Sequence, residues 1–270
     1  MGRRIGTAGA MFALLLAAAS ARAGVVLIAE TAAPAGNAPA AVQKAFVDAD
    51  RIRVESPALG GRILLFRKDR QVVVFLHPDK RTYAEATRAA MRKLQRQTEE
   101  ADARYRQLLK DLPANREPLL DDLMRNPRSP QYMRPTVLYK KVAGENRIAS
   151  WPCDQYQGTA AGRKVQDVWT ATWTDLGLTD DEARVLVAYG EFYRELAGTP
   201  APVFPVGVAG RPTERAYAGF PVRVIGTAKD GTPRVTELKE VRREDLDPAL
   251  FEVPADYEPI DAYKDLTLGQ

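Results

Sequence analysis

The sequence predicts an α+β fold in which a large curved antiparallel sheet is covered by two main helices. Three observations point to it: short β-branched runs divided by polar turns, two long stretches of helical periodicity, and their order of strands, helix, strands, helix, strands. Strands joined by short turns pair antiparallel, and helices that interrupt such runs pack on one face of the sheet they leave.

Before the first strand stands an export address. Met1-Gly2-Arg3-Arg4, an apolar run from Met11 to Ala19 and Ala21-Arg22-Ala23 form the three-part layout of a secretory signal peptide, with cleavage expected before Gly24. The apolar run is shorter than the roughly 20 residues that cross a hydrocarbon core. No cysteine stands at the cleavage point to carry a lipid, so the mature chain is expected to be soluble and periplasmic or secreted. Arg3-Arg4 is poorly continued by Ile5-Gly6-Thr7 as a twin-arginine signal, which leaves general secretion.

Loss of Arg3, Arg4 and Arg22 brings the 39 basic and 35 acidic residues of the precursor close to balance. The sequence pI of about 9.1 therefore describes the precursor, and no general basic field for nucleic acid remains. A single cysteine, Cys153, makes no disulfide within the chain, so the fold must rest on its own core. Following Trp151-Pro152, this thiol is expected to be buried and inert.

From Gly24 the chain reads as a strand, Val25-Val26-Leu27-Ile28, and then as a linker punctuated by Pro34, Gly36 and Pro39. Residues 24–40 are thus an N-terminal strand and linker, 41–260 a single domain and 261–270 a polar tail. Phe46 to Val54 contains an alternating stretch. Gly60-Gly61 leads into Arg62 to Arg67, and after the turn Lys68-Asp69-Arg70 comes Gln71 to Leu76, a hairpin apolar on both faces at its centre. Something must therefore cover each side.

A helix is expected from Ala84 to Leu112, where Thr87, Met91, Leu94, Thr98, Ala101, Tyr105, Leu108 and Leu112 recur at steps of four and three. Its other face carries Arg88, Arg92, Lys93 and Arg96, then Glu99, Glu100 and Asp102. The default reading is a solvated face, and contact of the basic end with phosphate head groups is the sharper one. Residues 113–135, with Pro118, Pro127, Pro130 and Pro135, form an irregular connection.

Strands resume at Thr136 to Val142, Arg147 to Trp151, Gln155 to Thr159 and Arg163 to Thr174, with turns at Gly144-Glu145-Asn146 and Ala161-Gly162; the whole chain carries about eight to ten strands. Thr179 followed three residues later by Glu182 is a capping box, and Asp180 and Asp181 sit where a helix dipole favours acids. Val185, Leu186, Tyr189, Phe192, Tyr193 and Leu196 form the apolar stripe of this second helix, which Gly198 closes. Gly219 to Thr227 and Pro233 to Val241 form a last hairpin about Lys229-Asp230-Gly231.

Four segments then carry a resemblance: Asp48 to Arg53, Leu76 to Tyr83, Ala149 to Gly158 and Asp247 to Tyr257. In this order they resemble a family of exported bacterial proteins of unknown function, itself similar to the LolA/LolB lipoprotein carriers, across roughly residues 41–257. The resemblance implies an open half-barrel capped by helices, whose interior in the carriers receives acyl chains. The shared segments are mostly turns and strand ends; the carriers use an Arg to lock their lid, and no Arg of this chain is assigned that role. On physical grounds, Pro78 stops a strand before the long helix, Asp79 accepts turn N–H groups, and Tyr257 packs its ring.

Enzyme chemistry finds little support. His77 is the only histidine and stands before a proline; neither a G-x-S-x-G elbow nor an H-E-x-x-H helix is present. One His and one Cys do not make a zinc shell, and Asp121-Asp122 and Asp180-Asp181 lack calcium-loop spacing, so no metal and no cofactor is expected. Trp151, Trp169 and Trp173 lie on adjacent strand patterns and could line a cavity, a sugar platform or a core.

Three readings follow. The first is a non-enzymatic binding or carrier protein that holds a lipid, lipoprotein acyl chain or other hydrophobic ligand between sheet and helices, lined by Val74, Leu76, Met91, Leu94, Trp151 and Trp169. Its partners would be that ligand and transient membrane or envelope-protein contacts, without nucleic acid. The second is a structural or interaction protein of the envelope with a filled core. The third is an enzyme that uses acids alone, which needs a polar cleft where two acids and His77 converge.

Overall fold

The computed structural model describes residues 22–32, 39–90, 92–93, 96–97, 100, 103–104, 107, 137–160, 162–197, 207, 213–227 and 232–262. Twelve strands among them join in one sheet: β1 (Arg22–Ala32), β2 (Ala41–Val47), β3 (Arg51–Glu55), β4 (Ile63–Arg67), β5 (Val72–His77), β6 (Thr82–Thr87), β7 (Leu138–Ile148), β8 (Trp151–Ala160), β9 (Arg163–Ala171), β10 (Phe220–Thr227), β11 (Pro233–Leu246) and β12 (Glu258–Ile260). Their spatial order is β12-β6-β5-β4-β3-β2-β1-β11-β10-β9-β8-β7, so the sheet is open, with β12 and β7 at its edges. Every neighbouring pair is antiparallel except β12 with β6. The large antiparallel sheet is as expected, with more strands than the pattern predicts.

One helix, α1 (Asp180–Ala197), lies on the sheet. It starts as its capping box requires: Thr179 N donates to Glu182 Oε2 at 2.8 Å, and Glu182 N donates to Thr179 Oγ1 at 3.3 Å. Glu182 is buried, and the Arg243 guanidinium of β11 reaches both its carboxylate and the Gly177 carbonyl, tying the helix start to the sheet. The stripe Val185, Leu186, Tyr189, Phe192 and Tyr193 is buried in the main core with Val25, Leu27, Val47, Ile52, Leu64 and Phe66. The Phe66 ring meets Tyr189 and Phe192 edge-on at 5.6 and 5.8 Å between centroids.

Several expectations need correction. The alternating stretch within Phe46 to Val54 is β3, and Asp48 turns the chain between β2 and β3. Its carboxylate accepts from Asp50 N at 2.9 Å and Arg51 N at 2.7 Å, and from the Arg51 guanidinium. Ala84 to Thr87 is strand, not helix: six residues of β6 pair with β5, where Ala84 and Ala86 are buried. Helix begins only at residue 88, where Ala90 N donates to Thr87 Oγ1 at 3.2 Å. The turn after His77, Pro78 to Lys80, therefore hands β5 over to β6 and not to a helix.

Gly144-Glu145-Asn146 is not a turn, since β7 continues through it with a register shift between Val142 and Asn146. The chain reverses at Ala149-Ser150, where Ala149 adopts φ 51°. Accordingly β8 begins at Trp151, and β9 stops at Ala171 instead of running to Thr174. Met91, Leu94 and the rest of the long helix's apolar stripe after Thr87 lie outside the described residues, as do Leu196's side chain, Gly198 and the turn Lys229-Asp230-Gly231. Coverage of the sheet by helix is thus described for α1.

Candidate functional site

Beyond β11 the C-terminal segment crosses the sheet on the side away from α1. Strand alternation puts Ile52 and Val54 of β3 in the main core with α1 and turns Arg51 and Arg53 to the other side. There Arg53 Nη1 donates to the Leu250 carbonyl at 2.9 Å, and Arg67 Nη2 to the Phe251 carbonyl at 3.2 Å. Glu252 receives Arg51 at 3.2 Å and also pairs with Arg67. The Arg51 guanidinium stands 4.7 Å above the Phe251 ring.

Phe251 packs with Val26 and Leu246, while Val253 and Tyr257 pack on Leu65, Val72, Val74 and Leu76. The segment then pairs as β12 with β6, where Glu258 N donates to the Arg81 carbonyl at 3.0 Å and Arg81 meets Asp256 at 3.3 Å. Three of the four sequence segments, Asp48 to Arg53, Leu76 to Tyr83 and Asp247 to Tyr257, thus meet in this strap. Its seam is tight at β1 as well: a Cβ on Gly24 would lie 2.5 Å from Leu246 Cδ1.

The fourth segment lies at the other end of the sheet. Pro152, Cys153 and Asp154 line an open cleft of about 610 Å³ with Asn146, Arg147, Thr170, Thr172, Asp175 and Gly219 among its other walls. Lys141 holds Asp154 at 2.7 Å, Thr172 Oγ1 donates to Asp175 Oδ2 at 2.6 Å, and Arg147 Nη1 donates to the Ser150 carbonyl at 2.7 Å. Cys153 is buried and donates to the Trp151 carbonyl at 3.2 Å; burial, with Asp154 and Asp175 adding to it, pushes its thiol up. The thiol is buried, as expected. Asp154 and Asp175 both line the cleft, but His77 is on β5 and does not.

The six predicted lining residues do not form one group. Val74 and Leu76 are sealed at 1% and 2% exposure under the strap, on the face of β5 opposite Val73 and Phe75. Trp151 and Trp169 are half-buried and pack against the main core together with Trp173, which meets Phe220 at 6.3 Å. Arg223 lies 5.6 Å from the Trp169 ring centroid and 3.6 Å from Glu237. Met91 and Leu94 are outside the described residues. Besides the cleft, an apolar recess of about 30 Å³ beside Ala29, Phe220 and Leu238 has room for about one water.

Among the described residues no group of three or more His, Cys, Asp or Glu could hold a metal ion, and no helix is long and apolar enough to cross a membrane. Sequence reasoning missed the arginine clasp of the strap. The available signal was charged Arg51 and Arg53 alternating with apolar Ile52 and Val54 in a strand that neighbours otherwise bury.

Residues 189–257 match DUF4412, a domain of unknown function, which spans the second half of α1 and the strap. No curated protein matches the chain. Among solved structures, PNGF-II is similar at 9% identity and TM-score 0.41, over 91% of this chain and 32% of that one. The MucA/MucB complex of Pseudomonas aeruginosa is similar at 9% identity and TM-score 0.36, over 90% of this chain and 59% of that one. A LolA superfamily protein, NE2245 from Nitrosomonas europaea, is similar at 12% identity and TM-score 0.28, over 85% and 89%. The chain thus spans about a third of the length of PNGF-II. The family match is thus to a domain of unknown function over residues 189–257, and neither ligand nor partner passes from these solved structures to this chain.

Proposed function

We propose that this chain is a non-enzymatic binding or carrier protein of the periplasm, whose ligand is a lipid, a lipoprotein acyl chain or another hydrophobic molecule with a polar end. One observation supports this most. The layer between α1 and the sheet is filled, whereas Trp151, Trp169 and Trp173 stay half-buried at its margin, next in sequence to residues that line the open polar cleft. The apolar part of the ligand would lie on these rings, and its polar end beside Arg147, Asp175 and Thr172. Export rests on the signal-peptide layout. Cleavage before Gly24 removes Arg22 and Ala23 from β1 but leaves the pairing that starts at Gly24 and Glu244.

The test is native mass spectrometry and lipid extraction of protein purified from the periplasm, with Trp151→Ala and Trp169→Ala alongside. Co-purified lipid that both substitutions deplete is the expected result; lipid-free wild-type protein would sink the reading. The filled core under α1 favours a second reading, an interaction protein of the envelope. Lipid-free protein that cross-links to one envelope protein in cells would decide for it.

A further inference from the structure

The open cleft carries its own charge balance. Two carboxylates stand in its wall, Asp154 and Asp175, and two cations stand with them, Arg147 in the wall and Lys141 on Asp154 at 2.7 Å. Each is engaged: Asp175 Oδ2 accepts from Thr172 Oγ1 at 2.6 Å, and Arg147 Nη1 donates to the Ser150 carbonyl at 2.7 Å. A ligand end with a net charge would meet its like as often as its opposite, and would lose hydration without a matched counter-charge. An uncharged polar end meets no such penalty.

One polar group of this wall is left over. Thr170 of β9 stands directly opposite Asp154 of β8, so both side chains share one face of the sheet, and both line the cleft. Thr170 is 4% exposed, and among the described residues its hydroxyl makes no hydrogen bond. A hydroxyl that has already lost most of its water gains from a ligand atom beside it. At Gly219, where φ is 82°, a Cβ would lie 2.6 Å from the Ala171 oxygen, so this part of the wall is bare backbone that a ligand can approach closely.

We infer that the cleft takes an uncharged sugar ring, which rests on the carrier reading where that ring is the head of a glycolipid. Sugar hydroxyls both donate and accept, so neighbouring hydroxyls can give to Asp154 and Asp175 while they take from Thr170 and Arg147. The apolar C–H face of the ring suits the half-buried Trp151 and Trp173, which are next in sequence to Pro152 and Thr172 of the wall. A volume of about 610 Å³ is within the range of small-molecule sites.

The chain has three tryptophans, all packed at the margin of the main core, so their fluorescence reports on this end of the sheet. The full mature chain is titrated with octyl glucoside, octylphosphocholine and octyl sulfate below their micelle concentrations, and with glucose alone. Octyl glucoside is expected to bind roughly tenfold more tightly than either ionic head. Thr170→Val should weaken that binding roughly fivefold and leave octyl sulfate unchanged, and Thr170→Ser should bind as wild type. Thr227→Val, an exposed position of β10 outside the cleft, should also bind as wild type. Saturable binding of glucose alone assigns the cleft to a free saccharide, and binding that needs the octyl chain assigns it to a glycolipid; both uphold the sugar. Equal binding of the three octyl compounds, no binding of either sugar, or a folded Thr170→Val that keeps the full preference for the glucoside would overturn the inference. Equal binding leaves the carrier reading standing, whereas binding of glucose with no gain from the octyl chain removes that reading and keeps the sugar, so the two failures are told apart.

Discussion

The two ends of the sheet are finished in opposite ways. Strands β1 to β6 are closed on both sides, by α1 on one and by the C-terminal strap on the other, and most of their apolar residues on both faces are buried. Strands β7 to β9 instead border an open polar cleft with half-buried tryptophans at the margin of the core. The closed end therefore holds the stability, and the open end has room for interaction. The difference follows from where the chain spends its last residues: the strap passes over β1 to β5 and ends on β6, so it never reaches the cleft.

This contrast can be broken at the strap first. Phe251→Ala is expected to cost about 3–5 kcal/mol in urea unfolding, because it empties a site that is 1% exposed. A loss under about 1 kcal/mol would show that the strap is not part of the core.

Alkaline pH should act next. Burial pushes the Tyr139 hydroxyl up to about 12, with a Gln166 hydrogen bond opposing, and raises Tyr189 and Tyr193 too. These groups ionise more readily in the unfolded chain, so their contribution is complete below the ordinary tyrosine pKa near 10 and is lost as pH rises toward the folded value. Melting temperature should hold up to about pH 9 and fall steeply from there to about pH 12. A flat profile across that window would contradict the sealed environment of α1.

A smaller effect is expected at the start of α1, where Thr179→Ala removes the hydroxyl half of the reciprocal cap and should cost about 1 kcal/mol. At the open end Asp175→Asn should change stability by no more than about 0.5 kcal/mol, since this exposed carboxylate accepts from Thr172 in its own turn and lines the cleft. A cost above about 2 kcal/mol there would mean that the cleft is structural.

Much of the sheet was legible because strand alternation and turn chemistry are local. The hairpin of β4 and β5 and the capping box of α1 need only neighbouring residues, and both stand as read. The miscast elements share one cause. Ala84 to Thr87 has helical spacing, yet β5 presents an open edge whose six pairings, and the burial of Ala84 and Ala86, outweigh local preference. Gly144 to Asn146 reads as a turn, but pairing with β8 carries the strand past it and moves the reversal to Ala149-Ser150. The candidate residues divided for a similar reason. Val74 and Trp151 are both apolar strand positions, and nothing nearby in sequence says that Val253 and Tyr257 will cover the first while the second remains half-buried.

By itself, the sequence determined the large antiparallel sheet and the capped start of α1, since each depends on residues a few positions apart. Tertiary structure alone decided that Arg51, Arg53 and Arg67 clasp residues 250–252, at least 184 positions away, and that one end of the sheet closes while the other stays open. Such contacts join segments whose separation is set by the path of the chain across twelve strands, and no local periodicity encodes that path.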